Sequence, residues 1–196
     1  MSRARKRVHG ILGEQGGFVK GLLVLFAGAF GLFLLQTYVV QVFRISTASM
    51  APTLLPDDLV VVARLSYLFH APRPADVIAF HFPQADGREF VKRVIGVPGD
   101  VVEEGGGRIS VNGKAVLPEG GAGVLQTDTA MPMLPPRQIP PGQVFVLGDN
   151  QPGSLDSRYW GTVPFRDVVG RVVLVCWSSG KHWWDVRWHR IGRPLQ

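Results

Sequence analysis

The chain has 196 residues, 46% hydrophobic and 18% charged, enough for one domain-sized core, which excludes disorder over most of its length. Its 24 glycines and 15 prolines favour short strands joined by turns over a helical bundle, and the lone Cys176 excludes an internal disulfide or a C-x-x-C metal or redox site. The net charge of +6 is concentrated before residue 21; residues 44–196 carry 16 basic and 14 acidic side chains, scattered rather than clustered, so no nucleic-acid partner is expected.

Residues 1–20, with Arg3, Arg5, Lys6, Arg7 and Lys20 against Glu14, read as a basic cytoplasmic N-terminus. From Gly21 to Phe43 no residue is charged, and as a helix this stretch would rise roughly 34 Å, against about 30 Å for a bilayer's hydrocarbon core. It reads as a single transmembrane helix, because the apolar stretch of a cleaved secretory signal usually runs to only about 7–15 residues. Positive charge before the span keeps the N-terminus in the cytoplasm and exports residues 44–196 as an extracytoplasmic domain. Gln36, Thr37, Tyr38 and Gln41 mark the outer interface, and the lipid bilayer is an expected partner.

The exported part is expected to be mainly β. Strands are predicted at 58–63, 76–82, 89–97, 108–116, 143–147 and 168–177, all rich in Val, Ile and Phe and bounded by Pro, Gly and Asp. Asn112-Gly113 inside one of these runs signals a tight hairpin, and tight turns imply an antiparallel sheet. Residues 118–141, with six prolines, read as a long surface excursion. Cys176 is expected to be a buried, inert thiol, and the five histidines show no metal-ligand spacing, so neither metal nor cofactor is implied.

Three stretches carry the polar chemistry. Thr47-Ala48-Ser49-Met50-Ala51-Pro52-Thr53-Leu54 offers a serine that by itself is an ordinary loop hydroxyl, since a nucleophile needs a partner base. Phe90 to Asp100 places Lys92 and Arg93 within an apolar strand; alternation sends one of them inward, and if that one is Lys92, burial lowers its pKa and supplies a neutral amine. Gly148 to Gly161 is dense with Asp, Asn and Ser, which on its own reads as a turn network.

Together the three resemble the type I signal peptidases, membrane-bound serine peptidases that remove signal peptides from exported proteins. The motif usually written Ser-x-Ser-Met-x-Pro-Thr-Leu stands at 47–54 with threonine first. Lys-Arg-Val-Ile-Gly-x-Pro-Gly-Asp is intact from Lys92 to Asp100, and Gly-Asp-Asn-x-x-x-Ser-x-Asp-Ser-Arg-x-x-Gly from Gly148 to Gly161. The ending Val186-Arg187-Trp188-His189-Arg190-Ile191-Gly192 is also similar to the family's.

The resemblance implies Ser49 as nucleophile and Lys92 as general base, with no cofactor. It implies Thr47 as an oxyanion donor and Ser154 as the residue that hydrogen-bonds and orients the Lys92 amine. Arg93 is expected to pair with Asp149, and Asp156 with Arg158, to shape the loop. Phe43, Ile45, Met50, Leu54, Phe90 and Val91 are expected to line two shallow pockets for the small side chains before the cut, although core packing uses the same types. Ser46 stands where many members have proline. A monomer in a bacterial cytoplasmic membrane, acting on signal-peptide-bearing preproteins, is the implied setting.

Alternatives remain at this point: a specialised maturation peptidase of the same Ser/Lys kind, or a catalytically silent tethered β domain. Cytoplasmic self-cleaving repressors also use Ser/Lys dyads, but the anchor and the absence of DNA-binding helices disfavour them. Trp177, Trp183, Trp184 and Trp188, mixed with Lys181, Arg187 and Arg190, suit either a core or a seat in the headgroup layer.

Overall fold

The computed structural model describes residues 2–34, 39–82, 87–105, 108–116, 135–180, 182 and 184–195, and of residues 2–16 and 18 the backbone alone. The chain forms two compact units, Met1–Val39 and Val40–Gln196. The first is a single helix, α1 (Ser2–Leu34). Its uncharged part from Gly21 to Leu34 rises about 21 Å, short of a hydrocarbon core of about 30 Å. Among the described residues no helix is long and apolar enough to cross a membrane. The far end of the expected span is corrected: Val40–Phe43 are strand, aligned with Ala63, Val62, Val61 and Val60, because β-branched residues on both partners pack better on a pleated surface than in a helix. Residues 35–38, including Gln36, Thr37 and Tyr38, lie outside the described residues, as does most of the 118–141 excursion.

The second unit contains β1 (Val40–Arg44), β2 (Asp58–Ala63), β3 (Val77–His81), β4 (Glu89–Gly96), β5 (Val101–Gly105), β6 (Arg108–Val111), β7 (Lys114–Ala115), β8 (Arg137–Gln138), β9 (Gln143–Leu147), the one-turn helix α2 (Ser157–Trp160), β10 (Val163–Pro164) and β11 (Val168–Ser178). Seven strands form a sheet in the order β1-β2-β11-β3-β4-β9-β10, and four form a smaller one, β7-β6-β5-β8. Every pairing among the described strands is antiparallel, so the expected mainly β, antiparallel fold is what the chain adopts. The Asn112-Gly113 signal closes β6 onto β7; both residues have positive φ (52° and 75°), the conformation that a two-residue turn matching strand twist demands.

Strands β3 and β9 are buried on both faces, which is why they read as unbroken apolar runs. On β3, Val77 and Ala79 join a cluster with Phe43, Val60, Val62 and Val172, whereas Ile78 and Phe80 join Val94, Val144 and Val146. On β9, Val144 and Val146 face that second cluster, while Phe145 and Leu147 pack with Val102, Ile109 and Ile139 under the small sheet. Burying one such Val or Ile side chain stabilises the fold by about 1.5–3 kcal/mol, and these clusters replace the staples that the cysteine content excludes. Cys176 is half-buried, with Sγ on the Leu59 carbonyl at 3.3 Å, so it is less enclosed than expected. Trp184 and Trp188 are 64% and 71% exposed and close no core; Trp177 meets Trp188 edge to face, and Trp183 lies outside the described residues.

Candidate active site

Burial of β4 on both faces settles where its two cations go. Alternation was expected to leave one of Lys92 and Arg93 in water, yet the residues are only 2% and 4% exposed. β4 lies between β3 and β9, with Ile78 opposite Lys92 and with Val77 and Leu147 opposite Arg93, and the Ser49 turn covers the first side chain while Asp149 covers the second. Each buried cation then needs a different solution.

Arg93 takes a partner. Its Nε and Nη2 donate to the two carboxylate oxygens of Asp149 at 2.8 and 2.9 Å, and Nη1 donates to the Ala75 carbonyl at 2.9 Å. Arg158 does the same with Asp156, at 2.8 and 2.9 Å, and also donates to the carbonyls of Gln151 (2.7 Å) and Ser154 (3.3 Å). These are the two expected pairs, and a fork-on-fork geometry out of water is the arrangement that best offsets the cost of burying charge.

Among the described residues Lys92 has no carboxylate partner of this kind. Its Nζ donates to Ser49 Oγ at 2.6 Å and stands 5.6 Å from the centre of the Phe90 ring. Burial outweighs the opposing pull of Asp156 and Asp149, so its pKa falls from 10.5 to about 8. An ammonium here is little favoured over a neutral amine near physiological pH.

Ser49 is buried in a short 3-10 turn, Ala48–Met50, between β1 and β2. Local bonds close that turn, from Ala51 N to the Ala48 carbonyl (3.0 Å) and from Leu54 N to the Met50 carbonyl (2.8 Å). Thr47 precedes it, with Oγ1 3.1 Å from Ser49 Oγ. Asn150 grips it from the third polar stretch, its backbone N–H donating to the Ser49 carbonyl (3.0 Å) and its amide to the Ala48 carbonyl (3.1 Å). Sequence reading gave Asn150 no role, although its place beside Asp149 in the Gly-Asp-Asn run was the available signal.

Two expectations are corrected. Ser154 does not hydrogen-bond Lys92: its Oγ is buried without a hydrogen-bond partner. Its side chain is instead seated against Gly148, where a Cβ would stand 2.2 Å from Ser154 Oγ and 2.4 Å from the Ser49 carbonyl oxygen. The missing Cβ is what lets those two groups close on the Gly148 backbone. Leu54 does not line a pocket, being fully buried in the first apolar cluster, because its turn bends it under the sheet rather than toward solvent.

The other five expected pocket residues, Phe43, Ile45, Met50, Phe90 and Val91, line one cleft of about 380 Å³ together with Ser49, Thr47 and Lys92. It runs between the β1 exit and β4, and Arg44, Ser46, Arg88 and Glu89 complete its walls. These four were not assigned to the cleft because a polar residue at or just beyond a strand end looks the same in sequence whether it faces bulk water or a groove. Among the described residues no group of three metal-ligating side chains occurs.

Residues 18–177 match the family described as signal peptidase, peptidase S26. The chain is 35% identical over 154 residues to signal peptidase I of Leptolyngbya laminosa, covering 75% of this chain and 73% of the relative. Signal peptidase I of Bacillus caldolyticus is 36% identical over 160 residues, with 74% and 81% covered, and the probable signal peptidase I-1 of Synechocystis 34% over 166 residues, with 81% and 79% covered. A crystal structure of a signal peptidase I from Enterococcus faecalis superposes with a TM-score of 0.42 at 33% identity, covering 52% of this chain and 96% of that one. On the family match and these relatives, the chain belongs to the signal peptidase I enzymes of peptidase family S26.

Proposed function

We propose that this enzyme is a membrane-tethered serine endopeptidase that removes N-terminal signal peptides from exported preproteins through a Ser49/Lys92 dyad. The observation that carries the reading is the 2.6 Å separation of Lys92 Nζ and Ser49 Oγ in a buried site without a carboxylate on the amine.

With the amine neutral, its lone pair takes the Ser49 proton as Oγ bonds to the scissile carbonyl carbon. Oxyanion stabilisation falls to the Ser49 backbone N–H and the Thr47 hydroxyl. Nζ then returns the proton to the departing amine as the C–N bond breaks, freeing the mature protein and leaving the signal peptide as an acyl ester. Water loses a proton to Nζ as it attacks that ester, and Nζ passes this proton to Oγ as the C–Oγ bond breaks, regenerating the Ser49 hydroxyl and the neutral amine. Lysine occupies the place that histidine has in the familiar triad.

Selectivity for small residues before the cut follows from walls made of Phe43, Ile45, Met50 and Val91, which leave shallow space beside an extended peptide added as a strand. Arg93–Asp149 and Arg158–Asp156 have structural roles, fixing the loop that grips the Ser49 turn. The basic N-terminus and the apolar stretch after it support a tether in a bacterial cytoplasmic membrane, N-terminus inside and the β unit Val40–Gln196 outside, with the chain acting as a monomer.

The test is cleavage of a preprotein by the full chain in lipid vesicles. Ser49→Ala and Lys92→Ala are each expected to abolish cutting after a small residue while the β signature in far-UV circular dichroism stays. Wild-type kcat/KM should rise with pH along a limb with an apparent pKa near 8, because the working form is the neutral amine of the free enzyme. Cleavage by either variant at the wild-type rate refutes the dyad.

A further inference from the structure

The segment between the Ser49 turn and β2, residues 51–57, belongs to no strand or helix, so the carbonyls that its local turn bonds leave over, those of Pro52, Thr53 and Pro56, need partners from elsewhere. They find them in the C-terminal stretch. Arg190 is 5% exposed, and its Nη2 donates to the Thr53 carbonyl at 2.8 Å while Nη1 donates to the Pro52 carbonyl at 3.3 Å. The same Nη2 donates to Asp58 Oδ2 at 2.7 Å.

Asp58 is the anchor. It is fully buried at the start of β2, directly opposite Ser178, whose hydroxyl donates to Oδ1 at 2.6 Å, while Leu55 N donates to Oδ2 at 2.9 Å. Burial pushes its carboxyl up, and the bonds from Arg190, Leu55 and Ser178 outweigh that and hold it low and ionised. Arg190 Nε is buried without a hydrogen-bond partner, so the guanidinium gives up one donor to reach all three oxygens. On the opposite side of the same segment Arg93 Nη2 reaches Thr53 Oγ1 at 3.5 Å.

We infer that Arg190 is a positioning residue for the nucleophile: from the C-terminal stretch it clamps the Pro52 and Thr53 carbonyls to Asp58 and thereby fixes the downstream half of the turn whose upstream half Asn150 holds. The inference rests on Ser49 being the nucleophile. Pro52 follows Ser49 by three residues, so a shift of the clamp is felt at Oγ, whereas the β4 wall of the cleft is untouched. Arg187 provides an internal comparison. It donates to the Pro56 carbonyl at 2.8 Å and to the Ser179 carbonyl, bracing the same segment at its end remote from Ser49.

The experiment compares Arg190→Lys, Arg190→Gln and Arg187→Lys in the full chain, with kcat normalised to the folded fraction seen by near-UV circular dichroism. Arg190→Lys keeps a cation beside Asp58 but cannot fork to two carbonyls. It is expected to lower kcat at least tenfold with KM within twofold and the pH limb unmoved, since the charges that act on Lys92 are Asp156, Asp149 and Arg158. Arg190→Gln should do the same, and Arg187→Lys should leave kcat within twofold. An unchanged kcat in both Arg190 variants, or an equal loss in Arg187→Lys, overturns the inference. Retained cleavage by Ser49→Ala would instead refute the underlying assignment of the nucleophile.

Discussion

Replacing Lys92 by methionine should abolish activity and, at neutral pH, make the protein more stable. Methionine has nearly the same length and no charge to desolvate. The displacement of the Lys92 pKa from 10.5 to about 8 corresponds to about 3 kcal/mol of unfavourable interaction in the charged form. The sign follows from proton counting. Below about pH 8 the amine is protonated in both states and the folded protein bears the whole burial cost. Between about 8 and 10.5 only the unfolded chain holds the proton, so wild-type stability rises with pH through that window.

The stability advantage of Lys92→Met should therefore be largest at pH 6 and shrink by roughly 2–3 kcal/mol by pH 10. In a fold of this size 1 kcal/mol moves Tm by about 2–4 °C, so the Tm gap between the two proteins should narrow by roughly 5–10 °C. Paired thermal unfolding of both chains in the same detergent at several pH values reads it directly, and titrations common to both cancel in the difference. A gap that does not change with pH, or a variant less stable than wild type at pH 6, would mean that the amine is not desolvated by the fold.

The remaining predictions concern the groups around that amine. Thr47→Val, which keeps the β-branch and removes the hydroxyl 3.1 Å from Ser49 Oγ, should lower kcat by about 10²–10³, and Thr47→Ser should restore it; an active valine variant would remove Thr47 from the oxyanion site. Gly148→Ala puts a methyl 2.4 Å from the Ser49 carbonyl oxygen, so it should cost about 1–3 kcal/mol in denaturant unfolding and more than tenfold in kcat. Asp149→Ala, by removing the carboxylate that neutralises the buried Arg93 guanidinium, should destabilise by about 3–5 kcal/mol in the same assay, with a smaller loss when Arg93 is replaced as well.

Much of this molecule could be read without coordinates because its rules are local. The Val-rich runs are strands, and Asn112-Gly113 closes a hairpin because only residues that tolerate positive φ fit a two-residue turn. Arg93 and Asp149, and Arg158 and Asp156, meet as their motif suggested. The boundary near residue 40 was misjudged because an uncharged stretch looks alike whether it continues a helix or enters a sheet; what makes Val40–Phe43 a strand is Val60–Ala63, some twenty residues away.

The sequence by itself determined which side chains are available for chemistry and the class of fold that carries them, since composition, turn residues and motif spacing act over short distances. Tertiary structure alone decided that both Lys92 and Arg93 are buried, since that depends on the Ser49 turn and Asp149 packing against β4. It also took Ser154 from the amine to the Gly148 backbone, and brought Arg190 from the far end of the chain onto the carbonyls after Ser49. The desolvation of one amine and the aim of one hydroxyl are set by what packs around them in space, and neighbours in sequence do not specify that.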